Sequence, residues 1–365
     1  MPEFAETYAR ARSLFLSAAA ARSARMASFR NPAGTGPDGE PLHTDVAILG
    51  PARPERLLLV VSGTHGIEGF TGSAIQSGLL RSGFAGDIDG NTSLVLVHAL
   101  NPWGFAYLRR VNEDNVDVNR NLLDHERAPD STPYEAIHEA LISEPWDEAR
   151  SDELLMEYAG RHGLRALQAA VTGGQWTRPD GLFYGGTRPV WSHRTLRTIV
   201  SEYTAGVSRI AYVDLHTGLG KRGWGEPIFR GGPDPGALGR ARAWYGDELT
   251  ASEEGTSSST PITGNTASLV ASLLAGDQRL TAITLEFGTL DGAEVLAALR
   301  ADNWLHLDGG PSGSAQADSR AKQVKQAMRE AFYPDDTDWR DAVWRRAVTV
   351  LGQALAGLTR EADDE

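Results

Sequence analysis

Apolar residues follow two rhythms along the chain. Short, nearly continuous runs rich in β-branched residues occupy 45–49, 56–62, 93–99 (SLVLVHA), 210–215 (IAYVDL) and 281–287 (TAITLEF). Runs of this length and character predict strands buried on both faces. Helical spacing predicts helices over 4–29, 70–82, 192–202, 234–248, 291–303, 316–332 and 337–358. Loops are expected over 31–41, 63–69 and 219–235, where Gly and Pro concentrate, and a flexible surface segment over 254–260. Residues 124–188 read as acidic and mostly helical, broken at Gly160, Gly163, Gly173 and Gly174. The alternation predicts an α/β fold with a largely parallel central sheet and helices on both faces. With neither an internal repeat nor a convincing linker, one domain is expected.

Composition narrows the partners. A net charge of −13 repels nucleic acid and anionic membranes, so neither is expected. The absence of cysteine excludes disulfides, thiolate metal sites and cysteine nucleophiles, and fits a cytoplasmic location. No apolar run is long enough to span a bilayer. The apolar patch around Leu14–Leu16 follows Glu3 and Glu6 and is flanked by Arg10, Arg12 and Arg22, which reads as an amphipathic helix rather than a signal peptide.

Four pieces carry candidate chemistry, and they fall at predicted strand ends, where ligands collect in open α/β sheets. In Thr64-His65-Gly66-Ile67-Glu68-Gly69, His65 and Glu68 lie three apart on a glycine-rich turn. They suit one metal ion, or equally a helix start with Glu68 favoured by the dipole. His216, just past IAYVDL, is either a third ligand or a packed histidine, and Asp214 either orients a ligand ring or caps a turn. Glu286 ends an apolar strand, as a buried general base or as the partner of an arginine. Asn119 and Arg120 lie in the aperiodic stretch 101–121 with Arg109 and Arg110 before them. They offer a fork for a carboxylate, or form a solvated polar loop.

Taken in order, SGTHGIEGFTG, RRVNEDNVDVNRN, YVDLHTGLG and TLEFGT resemble the M14-type zinc carboxypeptidase superfamily, in its DUF2817 group near the succinylglutamate desuccinylase and aspartoacylase branch. The likeness spans roughly residues 40–300. It implies a zinc-carboxypeptidase-like fold over 1–365, with a helical insertion at about 124–205 where the compact deacylases have less. It further implies one Zn2+ held by His65, Glu68 and His216, with Glu286 as catalytic glutamate. Asn119 and Arg120 would bind the free carboxylate, and Arg110 (or the adjacent Arg109) would polarise the scissile carbonyl. Tyr184, within Asp180-Gly181-Leu182-Phe183-Tyr184-Gly185-Gly186, is expected either to line the pocket or donate a proton, or else to pack. The implied substrate is a small peptide or, alternatively, an N-acyl amino acid.

Two other classes fit poorly. The nearest approach to a serine-hydrolase elbow, Gly310 to Ser314, lacks the second glycine and a preceding strand. Gly218-Leu219-Gly220-Lys221-Arg222-Gly223 comes after a strand, but Trp224-Gly225-Glu226-Pro227 succeeds it where a dinucleotide site needs a helix.

Overall fold

The computed structural model describes residues 2–142, 148–231, 235–307 and 315–360; the segment 310–314 lies outside them. The strands are β1 (Arg25–Thr35), β2 (Pro41–Leu49), β3 (Arg56–Val61), β4 (Thr92–His98), β5 (Arg209–Arg222), β6 (Gly225–Phe229), β7 (Thr250–Ala251) and β8 (Arg279–Gly288). They form one eight-stranded sheet in the order β1-β2-β4-β3-β5-β8-β6-β7. The four middle strands β4, β3, β5 and β8 run parallel. Antiparallel strands join on either side, β2 beside β4 and β6 beside β8.

Period-two alternation splits the middle strands between two cores. Leu58, Val60, Leu94, Leu96, Ala211, Val213, Ile283 and Leu285 face one side, against the helices Tyr8–Ala21, Gly69–Ser82 and Thr337–Arg360. Leu57, Leu59, Val95, Val97, Ile210, Tyr212, Leu280 and Ala282 face the other, against Trp191–Tyr203 and Thr266–Leu273. Both faces are covered, as the apolar runs require. The first core also takes in Tyr134, Ile137, Leu141, Leu155, Ala170 and Val171, so the segment expected as an insertion packs into the main body. None of the described helices is long and apolar enough to cross a membrane.

Several local expectations are corrected. The first helix covers only Tyr8–Ala21, and the chain leaves it at Ser23, which has φ 52°. Next comes β1, paired antiparallel with β2, across residues expected as helix and loop. The free edge of β2 supplies backbone partners that outweigh local helical preference, and Pro32 is tolerated because β1 is an edge strand. The expected loop 219–235 is in large part strand: β5 runs on to Arg222, and the chain turns at Gly223 and crosses the end of β8 into β6, which pairs with β8 on its other side. That connection holds the glycines of the GxGxxG pattern, and no helix opens there. Within the acidic segment, Gly160 lies inside the helix Glu148–His162, and regular helix ends at Thr172.

β3 has β4 on one side and β5 on the other, so the strand order reverses at the carboxyl ends of β3 and β5. A crevice opens at such a reversal. Leu96 stands on the buried middle of this sheet, and Leu96→Ala should cost about 2–5 kcal/mol. Urea denaturation at unchanged m-value reads it, and a loss below about 1 kcal/mol would contradict its place in the core.

Candidate metal and substrate site

The crevice is shaped by close backbone contact. Gly66 is pressed onto the chain at Gly104 and Phe105, where a Cβ would come within 2.0 Å of the Gly104 carbonyl carbon. The Gly66 N–H donates to Arg110 O (3.1 Å) and the Ile67 N–H to Arg109 O (2.9 Å). The His65/Glu68 turn and the arginine pair are thus bonded to each other, and neither glycine admits a side chain.

His65, Glu68 and His216 converge, buried, with ligand atoms all within 4.8 Å of one another. His65 Nδ1 lies 2.7 Å from Glu68 Oε1, and His216 Nδ1 lies 2.8 Å from Oε2. The two Nδ1 atoms are 3.2 Å apart. That spacing matches the roughly 3.3 Å between two imidazole nitrogens on one tetrahedral ion with bonds of about 2.0–2.1 Å. Each imidazole turns its far nitrogen to a carboxylate: His65 Nε2 to Asp117 Oδ1 at 3.1 Å, and His216 Nε2 to Asp214 Oδ2 at 2.8 Å, the latter without hydrogen-bond alignment. Such carboxylates orient metal-binding histidines. Asp214 is itself fixed by the hydroxyls of Thr64 (2.9 Å) and Thr266 (2.7 Å). The donor set fits a divalent cation.

Burial works against the charge of Glu68, but the two imidazoles outweigh it and hold the carboxyl well below its usual range. Burial likewise opposes the charge of His216, which Asp214 and Glu68 overcome, so its pKa is raised. Glu286 behaves oppositely. Burial first, and the charge of Glu68 second, push it up to about 7, against His216, the Leu219 N–H (3.2 Å from Oε1) and Arg230.

Arg110 lies on the cavity wall and reaches Asp117 Oδ2 (3.0 Å) and Glu68 Oε1 (3.3 Å). Arg109 is turned away from that cavity, bonded to Asp302 (2.9 Å) and Asn115 (3.1 Å). Of the two, only Arg110 faces the crevice. Asn119 accepts the Thr266 N–H at Oδ1 (3.0 Å). The Arg120 guanidinium donates to Thr172 O (2.6 Å and 3.2 Å), at the carboxyl end of the helix Leu164–Thr172, and to Asn119 O (2.9 Å). Burial lowers its pKa to about 10. Gly174, at φ +102°, passes so close that a Cβ would lie 2.7 Å from Arg120 Cδ.

His65, Glu68, Arg110, Asn119, Arg120, His216 and Glu286 therefore surround one cavity of about 380 Å³. Tyr184 is not among its lining residues; it packs with Val116 and Val190. Its neighbour Phe183, at φ 52°, reaches the cavity and lies beneath Arg110 (4.9 Å) and Arg120 (5.6 Å). Trp224, in the turn between β5 and β6, lies under Arg346 (4.1 Å) and not at the cavity. His98 is a core residue, stacked on Phe15 and bonded to Ser73.

Sequence reasoning missed three participants. Asp117 holds His65 and Arg110 together, and the acid in D-x-N-R-N was its signal. Arg230 lines the cavity from the end of β6, a strand that its glycine-rich surroundings concealed. Ser259, in the segment expected to be flexible, is buried and accepts from Arg230 (3.3 Å).

The architecture is a carboxypeptidase-like α/β fold. The chain aligns with thrombin activatable fibrinolysis inhibitor (TAFI) at TM-score 0.53 and 10% identity, covering 97% of this chain and 74% of that one. It aligns with the bovine protein, solved in complex with tick carboxypeptidase inhibitor, at TM-score 0.51 and 10% identity over 98% of both chains. Carboxypeptidase A from Helicoverpa armigera aligns at TM-score 0.42 and 12% identity, covering 94% and 73%. For the first two, at 10% identity, the likeness is one of fold. No curated protein matches the sequence. The chain belongs to the family described as "Protein of unknown function (DUF2817)", whose pattern matches residues 4–346.

Asp117→Asn removes the charge behind His65 while keeping an acceptor for the Asn119 N–H. Competition with a chelator should show divalent-cation affinity reduced about 10–100-fold. Unchanged affinity would remove Asp117 from the site.

Proposed function

We propose that this chain is a zinc-dependent hydrolase that cleaves an amide or peptide bond next to a free carboxylate, as a carboxypeptidase does. The observation that carries the reading is a single cavity holding a buried His-Glu-His set, a carboxyl raised toward neutrality and an arginine with no carboxylate partner among the described residues. Zinc suits two imidazoles and one carboxylate with no thiolate available. When bound, it would supply Lewis acidity toward a carbonyl oxygen and toward water.

The remaining work falls to side chains. Glu286 takes the proton of the attacking water and passes it to the leaving nitrogen; a carboxyl near neutrality is well matched to both transfers. Arg110 is held beside the cation site by Glu68 and Asp117, placed to meet the oxyanion that develops on the substrate carbonyl. Asn119 and Arg120 hold the free carboxylate and so register the scissile bond. Chain 1–365 acts in this reading as one metallohydrolase domain. The insertion at about 124–205 contributes the wall around Leu164, Leu167 and Val171 and the Thr172 carbonyl that fixes Arg120.

That wall favours a second reading, an N-acyl amino acid deacylase. Leu164, Leu167 and Val171 present no polar partner to a peptide backbone, and burying unpaired amides is costly. An apolar acyl group meets no such cost.

Purified without chelator, the protein should contain about one zinc per chain, the stoichiometry of a three-ligand catalytic site. His216→Ala should lose it; full occupancy after dialysis would rule out that ligand. Glu286→Gln should keep zinc but lose about 10²–10⁴-fold in turnover. Normal turnover would sink the general-base role. Dipeptides and N-acyl amino acids tested side by side separate the two substrates.

A further inference from the structure

The cavity continues outward into an apolar mouth, and two helices each turn a stripe of side chains toward it. On the helix Leu164–Thr172 the stripe is Leu164, Leu167 and Val171, three and four residues apart and so on one face. On the helix Gly292–Leu307 it is Ala293, Leu296 and Leu299, again on one face. Exposure changes in step along both. Val171 and Leu299 are buried, Leu167 and Leu296 half-buried, Leu164 and Ala293 exposed. The buried ends stand at the cations of the site. Thr172, next to Val171, binds Arg120 through its carbonyl, and Leu299 shares a small cavity with Arg110 and Phe183. Gln168, between Leu167 and Val171, gives its amide N–H to Ser258 O (2.9 Å).

A third helix completes the mouth. Glu148–His162 is tied to Gly292–Leu307 where Asp152 accepts from Arg300 (2.9 Å), and Met156, one turn on from Asp152, reaches the cavity. Among the described residues the exposed large apolar side chains are Met26, Met156, Leu164 and Trp224, and two of these four meet at this mouth. Apolar surface gathered beside a polar cavity marks a ligand surface rather than chance exposure. Rows of apolar side chains that lead from cations to water fit a ligand with a polar head and an aliphatic tail. The stripe from Leu164 to Val171 is about 10 Å long at a rise of about 1.5 Å per residue. An extended chain advances about 1.2 Å per covalent bond, so such a span takes roughly eight bonds.

We infer that these helix faces form a channel for the acyl group of the substrate, a straight aliphatic chain of about eight carbons whose polar head lies at the cation site. The inference rests on the hydrolase reading for the head group and carries its second substrate, the N-acyl amino acid, to one acyl class. The channel itself is read by binding alone.

Calorimetric titration of the full-length protein with straight-chain alkanoates from acetate to dodecanoate tests it. Each buried methylene should tighten binding about three- to fourfold. The gain should stop near about eight carbons, where the chain leaves the stripes. Leu164→Gln combined with Met156→Gln changes two exposed side chains, a class of substitution that folds tolerate. The double variant should bind octanoate about 10-fold more weakly and butanoate as before. Failure to bind octanoate, no gain with length, a gain that continues undiminished to dodecanoate, or an octanoate affinity unaltered in the double variant each overturns the channel. Hydrolysis of N-acyl amino acids at a rate indifferent to acyl length removes the channel and leaves the hydrolase. A length series with its plateau, but no hydrolysis of any N-acyl amino acid or dipeptide, does the reverse.

Discussion

Glu68 is a carboxylate with 1% of its surface exposed, and the site is arranged around that fact. A charge removed from water must be met by donors or opposite charges. Glu68 is met by His65, His216, Arg110 and the Thr217 N–H at 3.1 Å. These groups come from three distant parts of the chain. They meet only because β3 and β5 are parallel neighbours that end together, and because Gly66 and Gly104 let the arginine-bearing loop lie against the turn. Losing one partner of a buried pair typically costs about 3–5 kcal/mol, so the same contacts that define the site also hold the sheet's crevice in shape. Two imidazole nitrogens aimed at one carboxylate from 3.2 Å apart leave a point where a cation satisfies all three groups together.

The segment 124–205 is more than an addition to the surface. Its helix Leu164–Thr172 ends with the Thr172 carbonyl on Arg120, and a helix carboxyl end is a favourable place for a cation. Gln168 donates to Ser258 O and Thr172 bonds to Thr260, so the same helix is tied to the strip whose Ser259 holds Arg230. One helix thus sets both arginines and supplies the apolar wall between them and solvent. The exposure of Leu164 (68%) and Met156 (59%) at this wall is hard to explain as surface chance, since both line the cavity.

The legible part of this protein was its middle. Strands buried on both faces announce themselves as apolar runs, and the residues at their ends stand where the fold puts ligands. That is why His65, Glu68, His216 and Glu286 were readable. The features that escaped notice depend on partners far away in sequence. β1 exists because β2 offers it an edge, and β6 because β8 does; their own composition reads as helix end and loop. Phe183 and Tyr184 show the same limit at one residue's scale. In a loop with no period, only the backbone angle at Phe183 decides which ring reaches the cavity.

The charge of the whole and the charge of the cavity are opposed. The chain carries −13, and its long-range field disfavours the approach of anions. Surface charge is screened beyond roughly 10 Å of saline, whereas arginines inside a low-dielectric cavity act on what touches them with far less screening. In the proposed reading an anionic ligand therefore gains little until it has entered, and then gains from Arg120 and Asn119 together. Selection falls on ligands that place their charges at those points. A polyanion does not fit within a cavity of about 380 Å³, and the net charge of −13 disfavours its approach. In the proposed reading a small acid passes the apolar wall with its acyl side against Leu164 and Leu167 and its free carboxylate directed inward. On the proposed reading the two act in sequence, the net surface charge disfavouring large polyanions and the arginines of the cavity holding a small carboxylate once it is inside.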